Sequence, residues 1–78
     1  MSPEGYRARI SAIEWWANLW VSEGLPYEMA QEIMGYCCEC VDADYYGVAR
    51  LEPPNDEAVR IQAALDAIFV SPGPQDFS

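Results

Sequence analysis

The stretch Glu14-Trp15-Trp16-Ala17-Asn18-Leu19-Trp20-Val21 places three tryptophans within six positions. At ~100° per residue around a helix, Trp16 and Trp20 fall on one side, while Trp15 falls on another with Leu19. Working outward, Tyr6, Ile10, Ile13, Ala17 and Trp20 recur at the spacing of one α-helical face, and Trp16 and Val21 widen it. Arg7, Ser11, Glu14, Asn18 and Ser22 form a narrow polar stripe at the same period. Beyond it, Trp15 and Leu19, with Ala8 and Ala12 below them, make a third, apolar strip. A helix apolar on two sides is either held between two neighbours or buries its second side against another chain. Ser2-Pro3-Glu4 supplies a cap, a proline at the first position and an acid on the helix dipole, and Gly24 supplies a stop. The spacing predicts a helix over 3–23.

Leu25-Pro26 opens a second helix, predicted over 26–46, with Glu28 in its first turn. Its apolar line is Ala30, Ile33, Cys37 and Cys40 or Val41, flanked by Met29 and Met34. The opposite line is Glu28, Glu32, Gly35, Glu39 and Asp42. The pattern blurs at Asp42-Ala43-Asp44, so the end lies anywhere between Asp42 and the stop at Gly47. Pro53-Pro54 in the connector over 48–54 cannot continue a helix. Asn55 then caps a third helix over 55–70, with core positions Ala58, Ile61, Leu65 and Ile68 widened by Ala64 and Phe69. Residues 71–78 read as a flexible tail. The expected fold class is all-α: one domain over 1–78, a compact three-helix bundle with a short proline-containing connector before its last helix.

Composition sets bounds on function. A chain of 78 residues has room for one core, and its 51% hydrophobic and 13% aromatic content is that of a folded protein. No basic stretch precedes an apolar run and none approaches the ~18 residues of a membrane span, so a soluble, cytoplasmic protein is expected. Thirteen acids against four arginines, without lysine or histidine, give a net charge of −9. Direct binding to nucleic acid or an anionic membrane needs basic clusters and is disfavoured. A basic protein surface, often itself a nucleic-acid site, is the favoured partner; the plainer reading is that acidity keeps a small apolar protein soluble.

The parts for catalysis are missing: no histidine or lysine, no phosphate-cradling glycine loop, little concave room in three short helices. No enzyme activity and no cofactor are expected. No metal is expected either, because Cys37 and Cys40 make one pair on one helical face without further Cys or His ligands. Buried Cys as a small hydrophobe is the ordinary role, with Cys38 pointing elsewhere and open to solvent.

The acids of the second helix offer an interaction surface. Glu28 and Glu32 stand ~6 Å apart along a helix axis, and Glu28 and Asp42 ~21 Å apart. A carboxylate row of that pitch imitates one edge of a nucleic acid and suits an Arg/Lys-lined groove, with Glu39, Asp44 and Glu52 extending it. Gly35 interrupts the row, and solvated acids on an amphipathic helix are ordinary. Tyr27, Tyr36, Tyr45 and Tyr46 are interleaved with the acids, and Tyr46 continues the Glu28–Asp42 line as an aromatic anchor. The expected partner-binding residues are Glu28, Glu32, Glu39, Asp42, Asp44 and Tyr46.

In size, charge and lack of catalytic residues the chain resembles the small acidic proteins that phages use against host defences, including anti-CRISPR proteins. The resemblance covers the chain in character and carries no motif. It implies stoichiometric inhibition: the acidic surface occupies a basic nucleic-acid channel of a complex in the host cytoplasm and excludes DNA or guide RNA. Two alternatives stand beside it. One is a self-associating structural or assembly subunit that forms a homodimer through Trp15 and Leu19; the other is an antitoxin-like partner of a basic protein.

Overall fold

The computed structural model describes residues 2–69. Three helices follow one another: α1 (Pro3–Ser22), α2 (Tyr27–Tyr46) and α3 (Asp56–Phe69). Together they form the all-α three-helix bundle expected from the sequence.

Local chemistry fixes both ends of α1, the end of α2 and the start of α3. The Gly5 amide donates to Ser2 Oγ at 3.0 Å, and Pro3 follows as the first helical residue. At the other end Gly24 takes a left-handed φ of 111°, the Leu25 amide reaches the Trp20 carbonyl at 3.0 Å and the Gly24 amide reaches Val21 at 3.1 Å. That bond pair is a Schellman stop, and it turns Leu25 back onto the core. Helix α2 runs through the blurred Asp42–Asp44 segment to Tyr46 and ends at Gly47, left-handed at φ 75°. The amides of Gly47 and Val48 both bond to the Ala43 carbonyl. Asn55 Oδ1 accepts the Ala58 amide at 2.8 Å to start α3.

The central helix is α2. It contributes buried Ala30, Ile33, Cys37, Cys40, Val41 and Ala43, whereas α1 contributes only Ile13 and Ala17. Of the two expectations for α1, held between neighbours or burying its second side against another chain, the structure corrects the first, since α2 takes the central place. Small alanines and cysteines on two sides of α2 let both other helices approach it closely. Tyr6 at the start of α1 reaches Asp42 near the end of α2, so the two helices are antiparallel. Helix α3 packs on α2 and meets α1 in its last turn, where Phe69 lies against Trp16 at 6.1 Å. Arg9 ties the same corner, its guanidinium 5.2 Å from the Phe69 ring and its Nη2 3.2 Å from the Phe69 carbonyl.

In α3 three positions differ from the predicted core, and on α2 Met29, expected beside the core line, is exposed. Ile68 and Ala64 are exposed, and Gln62 is buried in their stead. The buried face of α3 is turned toward Gln62, because Phe69 against Trp16 and Asp66 against Arg50 set its rotation. Val21, expected to widen the α1 core face, lies at its exposed edge. Val70 and the tail over 71–78 lie outside the described residues.

Candidate protein-binding face

Helix α2 turns its Glu28, Glu32, Gly35 and Glu39 positions to solvent, opposite the buried Ile33 and Cys37. Among the described residues none of these three glutamates has a hydrogen-bonded or ionic partner within the fold. Glu28 and Glu32 stand one turn apart, so their mutual repulsion costs a few tenths of a kcal/mol.

Two other acids named from sequence have internal partners. Asp42 is half-buried and accepts the Tyr6 hydroxyl proton at 2.5 Å. That bond, then burial, pushes the Tyr6 phenol up to about 12, so it remains a donor across the physiological range. The Tyr6 ring lies 4.8 Å from Tyr45, which meets Tyr46 edge-on at 5.0 Å. Asp42 therefore ends the row as a fixed carboxylate rather than a free one. Asp44 lies outside the row. Its carboxylate receives the Arg50 guanidinium at 2.6 and 3.1 Å, and the same guanidinium grips Asp66 at 2.9 and 3.0 Å. Asp44 thus fastens the connector, whereas Glu28, Glu32 and Glu39 align with Asp42 and Tyr46.

Tyr46 is 69% exposed, as its place at the end of the row predicts. Beside it the connector folds back from Gly47 and makes a pocket of about 190 Å³, lined by Glu39, Asp42, Ala43, Tyr46, Val48, Ala49 and Leu51. The sequence reading missed Val48, Ala49 and Leu51. Their signal was the Val-Ala-Arg-Leu run directly after a glycine stop, with Arg50 the one cation between Asp44 and Glu52.

On α1, Trp15 is 61% exposed and touches Trp16 edge-on at 6.2 Å. Neither α2 nor α3 covers it. Leu19 and Ala12 are half-buried and Ala8 is exposed, so the third strip of α1 is only partly enclosed.

The thiols are placed for packing. Cys37 and Cys40 are buried and Cys38, expected in solvent, is half-buried; all three are free. Burial pushes Cys37 up to about 12 and Cys38 up to about 11, Cys38 being raised further by Glu14, Asp42 and Glu39. Cys40 is raised for the same first reason, against the lowering effect of the Tyr36 hydroxyl. Thiols held in the protonated form are poor nucleophiles. Among the described residues no three His, Cys, Asp or Glu side chains are grouped to hold a metal ion, and no helix is long and apolar enough to cross a membrane. Comparison with protein-family models, curated proteins and solved structures finds no match to this chain.

Proposed function

We propose that this protein is a non-catalytic inhibitor, in character like the phage anti-CRISPR proteins. Its α2 face occupies a basic nucleic-acid-binding site on a protein complex. The observation that carries the reading is the line of Glu28, Glu32 and Glu39, exposed and without internal partners among the described residues, running into the fixed Asp42 carboxylate and the exposed Tyr46. The helix holds their backbone in place in advance, so pairing them with arginines of a partner costs only side-chain rotamer freedom, about 0.5–1.5 kcal/mol each. Among the described residues none of the four arginines pairs with them: Arg50 serves Asp44 and Asp66, Arg60 serves Glu57, Arg9 lies over Phe69, and Arg7 is exposed on α1.

The test is affinity capture from host lysate at low salt, eluted by a salt gradient and identified by mass spectrometry. A nucleic-acid-binding complex should elute with rising salt, and added nucleic acid should compete for it. The double variant Glu32→Lys/Glu39→Lys should abolish capture while shifting stability by less than about 1 kcal/mol, since both side chains are exposed. Capture that survives the double variant, or that is indifferent to salt, refutes the reading.

A second reading is favoured by the exposure of Trp15: self-association through the Trp15/Leu19 strip, as a structural or assembly subunit. Aromatic residues left wet on a small domain are common contact points. Sedimentation of the wild type should then give twice the monomer mass, and Trp15→Ala should return it to the monomer. A wild type that stays monomeric at high concentration removes this reading.

A further inference from the structure

We infer that the pocket between the last turns of α2 and the connector seats one arginine side chain of the partner protein. The inference deepens the proposed function and rests on the acidic α2 face being the contact surface. Its volume, about 190 Å³, is below the ~300 Å³ at which small-molecule sites begin, and suits a single side chain.

The lining selects the chemistry. Ala43, Val48, Ala49 and Leu51 make an apolar wall, with Val48 62% and Leu51 60% exposed in the free protein. Glu39 and Asp42 face the same space from positions three apart on α2, which sets their Cβ atoms about 5–6 Å apart. Asp42 Oδ1 accepts the Tyr6 hydroxyl, and Oδ2 has no partner among the described residues. A purely apolar guest would cover the wall but strand two carboxylates away from water. A bare cation would meet the carboxylates but leave the wall wet. A long side chain with an apolar stem and a cationic head satisfies both demands. Of the two candidates, the planar guanidinium has a five-donor fork that can serve both carboxylates at once and can stack on the Tyr46 ring, whereas the lysine ammonium is a compact point charge.

The fold keeps the seat open. Arg50, in the connector that borders the pocket, is drawn away to Asp44 and Asp66. Gly47 turns the connector so that Val48 and Leu51, rather than Arg50, border the pocket.

The experiment titrates ¹⁵N-labelled protein at low salt with three acetylated, amidated tripeptides: Gly-Arg-Gly, Gly-Lys-Gly and the citrulline analogue, isosteric with arginine but neutral. Saturable amide shifts centred on Glu39, Asp42, Tyr46, Val48, Ala49 and Leu51 are expected with the arginine peptide. The lysine peptide should bind about tenfold more weakly, roughly the loss of one charge-assisted hydrogen bond. The citrulline peptide should give none. Glu39→Gln and Leu51→Ser, each exposed and each checked for a native-like spectrum, should both weaken the arginine peptide. Glu23→Gln, outside the pocket, should not. Equal binding of arginine and lysine, shifts spread evenly along Glu28 and Glu32, or no saturable shift would overturn the proposal. The titration uses no partner, so its failure leaves the capture experiment standing, and a failed capture leaves the pocket's preference measurable.

Discussion

Replacing Arg50 by methionine removes a guanidinium fork while keeping most of its apolar stem. The fork makes four charge-assisted contacts, to Asp44 at 2.6 and 3.1 Å and to Asp66 at 2.9 and 3.0 Å. Protected bonds of this kind contribute about 1.5–3 kcal/mol each. These are not protected: the three side chains are between 33% and 40% exposed. Exposed pairs contribute about 0.2–1 kcal/mol, and bidentate geometry places these near the upper end. Two pairs therefore give about 1–2 kcal/mol, and at ~4–8 °C per kcal/mol the loss is visible as a lowered Tm. Denaturant titration of the wild type and Arg50→Met should show that loss in low salt and less than about half of it in 1 M salt, where the screening length falls to ~3 Å.

The same pair has a pH signature. Arg50, as the largest cause, holds the Asp66 carboxyl below its ordinary value of 3.8. A carboxyl depressed by folding contributes stability above its unfolded pKa, and that contribution disappears as pH falls through the folded one. Wild type should thus lose stability below about pH 4 by a component that Arg50→Met lacks. An equal loss at high salt, or a cycle in which Arg50→Met and Asp66→Asn simply add, would refute the ionic origin assigned to the clamp.

Other outcomes follow from single residues. Gln62 Oε1 is buried without a partner among the described residues, while Nε2 donates to Asp66 at 2.9 Å. Gln62→Leu should therefore raise stability by about 1 kcal/mol, Asp66 keeping its Arg50 fork, and a destabilised variant in urea titration would show the carbonyl to be satisfied. Gly35 and Gly47 should respond in opposite senses to alanine. Gly35 is mid-helix with open space at its Cβ position and should gain about 0.5–1 kcal/mol, whereas Gly47 at φ 75° should lose about 1–2 kcal/mol, both read by thermal melts. The buried thiols and the Tyr6 and Tyr36 phenols, the latter raised first by burial to about 12, should make the protein labile to base. Groups raised by folding leave stability intact below their unfolded values, 9.0 for the thiols, and remove it as pH climbs from there toward 12. Alkylation in native buffer should be slow and begin at Cys38; rapid labelling of Cys37 would contradict its burial. Trp15→Ala in a monomer should cost about 1–2 kcal/mol, less than the ~3–5 kcal/mol of a fully buried tryptophan, because the ring is 61% exposed.

The sequence by itself determined the three helices and most of their ends, leaving the close of α2 open between Asp42 and Gly47. Ser2-Pro3, Gly24, Gly47 and Asn55 act through bonds to residues at most five positions away, so their roles are readable without knowing the fold. Periodicity likewise placed Ile13, Ile33, Cys37 and Leu65 in the core and Glu28, Glu32 and Glu39 in solvent. Only the tertiary structure decided which helix is central, because the choice depends on which small side chains let neighbours approach, and α2's alanines and cysteines prevail over α1's wider apolar arc. Only it removed Asp44 from the acidic row, through Arg50, fixed Asp42 against Tyr6 and turned α3 to bury Gln62 in place of Ile68. Those outcomes join residues far apart in the chain, Tyr6 with Asp42 and Trp16 with Phe69. Helical period says which way a side chain points from its own axis; what it meets there is set by the packing of the other two helices.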